Sequence, residues 1–191
     1  MRKFTAGKSS LGSGKAPGMN HTLYFFLVLV HILAATAWIG GMIFIAAVVV
    51  PYARRLKDRA AAADLIQVTG KLYKRVGHSS LGLLILTGFA LLPARGVPHS
   101  KLFDLQMWTS NPNAQILGLK LILFVIMVGL GTYHDIAVGP RATELMRTAP
   151  GSPEALRARA AASWIGRINM IISLVILGLA VALVRGNPFA G

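Results

Sequence analysis

The stretch His31-Ile-Leu-Ala-Ala-Thr-Ala-Trp38-Ile-Gly40-Gly41-Met-Ile-Phe44 lies inside an apolar run extending from Leu23 to Val50. A run of that length crosses a bilayer, and an ionisable imidazole at such depth is rare unless it has work to do. His31 is therefore a candidate functional residue from the outset. Three more apolar runs follow, Gly77 to Leu92, Gln115 to Val138 and Trp164 to Val184. Each is close to the ~20 residues that span the hydrocarbon core. Isolated segments cross lipid only as helices, because every backbone polar group must find its partner inside the segment. The expected fold is all-α, an integral membrane four-helix bundle with transmembrane helices at about 23–50, 77–92, 115–138 and 164–184.

With 54% hydrophobic and 14% charged residues, the 191-residue chain is too apolar for an ordinary soluble domain. Residues 1–20 read as a basic, flexible Gly/Ser-rich tail and 21–191 as one transmembrane domain. A cleaved leader is the competing reading of the amino terminus, since Ala35-Thr36-Ala37 resembles a cleavage triplet. The unbroken apolar sequence from Trp38 to Val50 argues against it.

The net charge of +14 is spread through loops instead of forming one basic domain, which points away from nucleic acid and toward positive-inside bias. Arg54, Arg55, Lys57, Arg59, Lys71, Lys74 and Arg75 fall in the first loop, and Arg141, Arg147, Arg157, Arg159 and Arg167 in the third region. These ends are expected in the cytoplasm, with both termini periplasmic and the protein in a bacterial inner membrane. The first loop, Tyr52 to Val76, has Leu65, Ile66, Val68 and Leu72 at amphipathic spacing, and is expected to lie along the membrane surface. Trp108 and Trp164 are expected as interfacial anchors. No internal repeat emerges from the residues.

Glycines within the apolar runs, Gly40, Gly41, Gly82, Gly88, Gly129, Gly131 and Gly178, either let helices approach closely or leave room for a flat macrocycle. Counting ~1.5 Å per residue from the outer boundary puts His31 roughly 14 Å down the first helix and Lys120 roughly 9 Å down the third. Lys120 either meets His31, where it would hold an anionic group such as a haem propionate or quinone oxygen, or snorkels to the surface. Lys120, Met127 and His134 share one stripe of the third helix, as His31 and Trp38 do on the first. Asn169 and Ser173 add polar character to the last helix and read equally as interhelical glue.

His78 and His134 fall at similar depths near the inner surface, as a bis-histidine haem site requires, with Lys74, Arg75 and Arg141 as cations for the propionates. The plain alternative is two interfacial histidines bonded to neighbours such as Asp135. His31 and His134 differ in level by about 16 Å and do not pair. Met19, His21, His99 and Met107 offer imidazole and thioether groups suited to copper, scattered over the outer side. The absence of cysteine excludes disulfides, thiolate metal sites and iron–sulfur clusters. Six carboxylates, of which Asp135 alone sits near an apolar run, make a hydrolase improbable.

The pattern His31-x6-Trp38-x-Gly40-Gly41-x-x-Phe44, then Pro51, Leu119-Lys120-Leu121 and Pro140, resembles the copper-resistance D (CopD-like) family over about residues 23–185. That resemblance implies a four-helix membrane domain linked to copper uptake or resistance. A more distant similarity, on His31 and Lys120, is to the four-helix membrane protoporphyrinogen oxidases, which implies an association with haem. The leading expectation is a membrane-embedded b-type haem protein in electron transfer, within a homo-oligomer or larger respiratory complex and served by a quinone or cytochrome partner. Its candidate ligands are His31, His78 and His134, with Lys120, Arg75 and Arg141 as propionate partners. Copper handling is the alternative, and a structural subunit without cofactor the third.

Overall fold

The computed structural model describes residues 19–109 and 112–185. Most of the basic tail expected before residue 21 lies outside the described residues. Four long helices carry the fold: α1 (His21–Arg55), α2 (Arg59–Leu91), α3 (Pro112–Thr148) and α4 (Pro153–Arg185). Among the described residues there is no strand. The chain is an all-α protein in which α1, α3 and α4 are each long and apolar enough to cross a membrane.

Helix starts are set by side chains that satisfy the orphan amides of the first turn. Asn20 Oδ1 accepts from the Thr22 amide at 3.0 Å, and Asp58 Oδ1 accepts from the Ala60 and Ala61 amides at 2.8 and 3.3 Å. Ser152 Oγ accepts from the Ala155 amide at 3.1 Å at the start of α4. Gly151, at φ +89°, makes the left-handed step that the tight α3–α4 link requires.

Two prolines sit inside α1 and α3 without ending them. A proline lacks an amide proton, and its ring collides with the carbonyl four residues back. Here each is preceded by one wide π-helical turn, Ile45–Val49 before Pro51 and His134–Val138 before Pro140, and such a turn loosens the ladder where the bond is missing. The two turns expose an internal repeat that residue identities conceal. Ile45 to His134, Pro51 to Pro140 and His31 to Lys120 are each steps of 89 residues, and each proline-bearing helix is followed by a helix of 33 residues. The chain is therefore two helical hairpins of like construction. α2 packs along α1 and α4 along α3, and the hairpins meet where α4 touches α1 and the end of α3 touches α2.

The expected spans are the apolar parts of longer helices: nearly all of the first, the greater part of the third, and the C-terminal portions of the second and fourth. Hydropathy reports which residues suit lipid, whereas the hydrogen-bond ladder continues until a cap or turn stops it. The largest correction concerns the first loop. Its amphipathic part does not turn to lie on the membrane surface; it runs on without a break as the first half of α2. No proline interrupts residues 59–91, and Gly77 is held by packing under Trp38. Trp108 is partly buried and packs back onto the chain. Its Nε1 donates to the Leu102 carbonyl at 2.9 Å and its ring lies on Gly118, closing the α2–α3 connection over Leu92, Val97 and Leu117. Trp164 does face outward, with the Arg167 guanidinium 5.3 Å from its ring.

Candidate functional site

His31 points from α1 toward α2, where its Nδ1 lies 2.8 Å from the Thr87 hydroxyl. That hydroxyl donates its single proton to the Leu83 carbonyl at 2.5 Å. Thr87 must then accept from His31, which makes Nδ1 the protonated nitrogen and leaves the Nε2 lone pair for another partner. The ring lies over Gly88, where a Cβ would sit 3.4 Å from Cε1, at ordinary contact distance.

Two cations lie near enough to influence this imidazole. Lys120, half-buried on α3, and Arg95, in the turn after α2, are the charges whose fields reach His31. Neither is neutralised. The ion pairs among the described residues are His134–Asp135 and Arg147–Glu144. The structure thus combines an imidazole oriented by Thr87 with two positive charges unpaired among the described residues, in one part of the bundle, an arrangement suited to an anionic group that also takes a nitrogen ligand.

About two helical turns further along α1 is a polar but tightly packed centre. Trp38 is buried against Gly77, its carbonyl accepts from the Tyr73 hydroxyl at 2.5 Å, and its ring reaches toward Gly131 and Asn169. Ser173 Oγ donates to the Asn169 carbonyl at 2.8 Å and lies 3.1 Å from Met127 Sδ. Gly41, Gly77, Gly88 and Gly131 prove to be points of close approach, whereas Gly40, Gly82, Gly129 and Gly178 border open space. Trp38 Nε1 and Asn169 Oδ1 are buried without a hydrogen-bond partner among the described residues.

The other candidates are not joined to this site. His78 is exposed, and its Nδ1 donates to the Lys74 carbonyl at 2.7 Å. It lines an open groove with Lys71, Lys74 and Arg75. His134 begins the π turn of α3, half-buried, with Nδ1 3.4 Å from Asp135 Oδ1. No contact among the described residues links His78 to His134, and Arg75 and Arg141 are both exposed. Of the outer residues weighed for copper, His99 donates from Nε2 to the Phe89 carbonyl at 3.0 Å and stacks on that ring. The described residues hold no group of three His, Cys, Asp or Glu side chains placed to bind a metal ion.

Thr87 and Arg95 are not singled out by the sequence as site residues, whereas Gly88 is among the glycines expected at close helix contacts. Thr87 and Ser80, seven apart, are polar interruptions of an apolar run and were the available signal. Arg95 lies in a connection whose path only the fold reveals.

Residues 33–150 match the family described as "Domain of unknown function (DUF4149)". The chain belongs to this family. The matched region takes in Trp38, Thr87, Arg95, Lys120 and both prolines, and begins two residues after His31. A protein of Aquifex aeolicus (strain VF5), described as "Uncharacterized protein", is 30% identical over 168 residues, covering 86% of this chain and 95% of the relative. No solved structure matches.

Proposed function

We propose that this DUF4149 protein is a membrane-embedded b-type haem protein that carries electrons within the bilayer, in which His31 would hold the haem iron. The observation that supports this reading is the oriented imidazole beside unpaired cations. Donation from Nδ1 to a fixed acceptor is how a ligating histidine is held and its basicity raised, leaving Nε2 for the metal. Lys120 and Arg95 would take the propionates. Bound there, haem would supply one-electron chemistry. The chain's own residues orient the ligand through Thr87 and balance the propionate charge.

The proposal includes α2 as a fourth membrane crossing, through its apolar half, and the arginine-rich ends of the hairpins in the cytoplasm. A quinone or cytochrome would be the redox partner within a larger assembly. Copper handling is the competing reading.

Absorbance of the purified full-length chain, before and after addition of haemin, tests the proposal. A Soret band that His31→Ala removes, and that His78→Ala and His134→Ala leave in place, is the expected result. Absence of any Soret band after haemin addition, or a band indifferent to His31→Ala, overturns it. Stoichiometric copper in the haem-free protein would transfer the argument to the competing reading.

A further inference from the structure

We infer that the outward face of α2 is a binding site for one anionic phospholipid, its phosphate held by Lys71, Lys74, Arg75 and His78 and an acyl chain lying along Gly82, Ile85 and Phe89. The four polar residues are exposed and line an open groove of about 480 Å³. At ~100° per residue they fall within about 60° of a single line along the helix. None of the three cations forms an ion pair with a carboxylate among the described residues. The His78 ring is held by its bond to the Lys74 carbonyl, which presents Nε2 to the groove.

The apolar continuation of the same line is what favours a lipid over a free anion. Gly82, Ile85 and Phe89 follow within the same sector; Ile85 and Phe89 are half exposed, and nothing lies within 4 Å of where a Gly82 Cβ would be. From His78 to Phe89 is roughly 16 Å along the axis, about half the thickness of the hydrocarbon core. The opposite face carries Tyr73, Gly77, Ser80, Leu84 and Thr87 against the bundle. One face of α2 thus packs on protein, and the other reads from charged head to apolar tail as a phospholipid does. Basic clusters at the edge of a membrane helix attract anionic lipid with strength that grows with each Lys or Arg.

The test is native mass spectrometry of the full-length chain released from mixed micelles of equimolar phosphatidylglycerol and phosphatidylcholine. Retained lipid should favour phosphatidylglycerol by roughly five- to tenfold. K71Q/K74Q/R75Q should bring that ratio near one, while K71R/K74R and the control R141Q/R147Q/R157Q should keep it. Gly82→Leu, which fills the tail track, should lower phosphatidylglycerol occupancy. Equal retention of the two lipids by the unmodified chain overturns the proposal whatever the variants do, as does a triple glutamine variant with undiminished preference. Displacement of phosphatidylglycerol by millimolar inorganic phosphate would mean a free-anion site and equally overturns it. These substitutions leave His31, Thr87, Arg95 and Lys120 intact, so the lipid preference and the haem spectrum fail independently.

Discussion

The two hairpins share one plan yet place an ionisable residue at the same position in opposite circumstances. His31 and Lys120 each stand 14 residues before a π turn, roughly 21 Å along the axis. In the first hairpin the partner helix offers Thr87, and the imidazole is bonded within its own hairpin at 2.8 Å. In the second, Leu121 and Leu183 belong to the apolar cluster near that level, and Lys120 has no hydrogen-bond or ion-pair partner among the described residues. A repeated scaffold therefore holds a hydrogen-bonded imidazole on one side and, among the described residues, an unpaired charge on the other. On the proposed reading, an anionic ligand between the hairpins would resolve that asymmetry; a Lys120 that snorkels to the surface would leave it in place.

The largest effect on this comparison should come from closing the space beneath Tyr73. A methyl group on Gly41 would overlap the Tyr73 ring, which cannot move away without losing its bond to the Trp38 carbonyl. Gly131, on the second hairpin, has its nearest neighbour at 3.5 Å, an ordinary contact. Gly41→Ala should thus lower stability by about 1–3 kcal/mol, as overpacking does, while Gly131→Ala stays near neutral. Thermal unfolding of both variants in detergent checks this; equal midpoints would show that the first hairpin is not the more tightly specified. Next in size is Thr87→Val, which keeps the shape and strands the His31 Nδ1 proton. A loss of about 1–3 kcal/mol is expected. ¹⁵N shifts of labelled His31 should show a mixture of tautomers in place of one. A single unchanged tautomer would mean that Thr87 does not set it.

Much of the fold was legible because lipid imposes a simple code. Apolar runs located the helices, His31 and Lys120 were recognisable as charges out of place, and their depths were near enough to suggest a meeting. The repeat was not legible, because its two halves share a backbone device while differing in side chains: Trp38 stands where the second half has Met127, and Ile45 where it has His134. The structure shows no contact between His78 and His134 among the described residues, and depth along a helix says nothing about which way a side chain faces. Gly77, next to His78, turns inward under Trp38, and that one step of ~100° leaves His78 among the lysines. Arg95 required the course of the α2–α3 connection, which depends on Trp108 folding back over Gly118.

The smallest effect, and the one that sharpens the contrast most finely, is expected at Ser173. Thr87 and Ser173 are both buried hydroxyls donating to the carbonyl four residues back, at 2.5 and 2.8 Å, one in each hairpin. They differ in what else they serve. The Thr87 oxygen accepts from an imidazole that would otherwise be unsatisfied, whereas the Ser173 oxygen touches only the Met127 thioether at 3.1 Å, a weak acceptor. Ser173→Ala removes one polar atom and strands none, so its cost should stay near 0.6 kcal/mol, the average for side-chain hydrogen bonds between membrane helices. Measured beside Thr87→Val, it separates the loss of a hydroxyl from the loss of an acceptor that a second residue needs. If Ser173→Ala proved as damaging as Thr87→Val, the hydroxyl itself would be the stabilising element in both hairpins, and His31 would lose its claim to a specially prepared position.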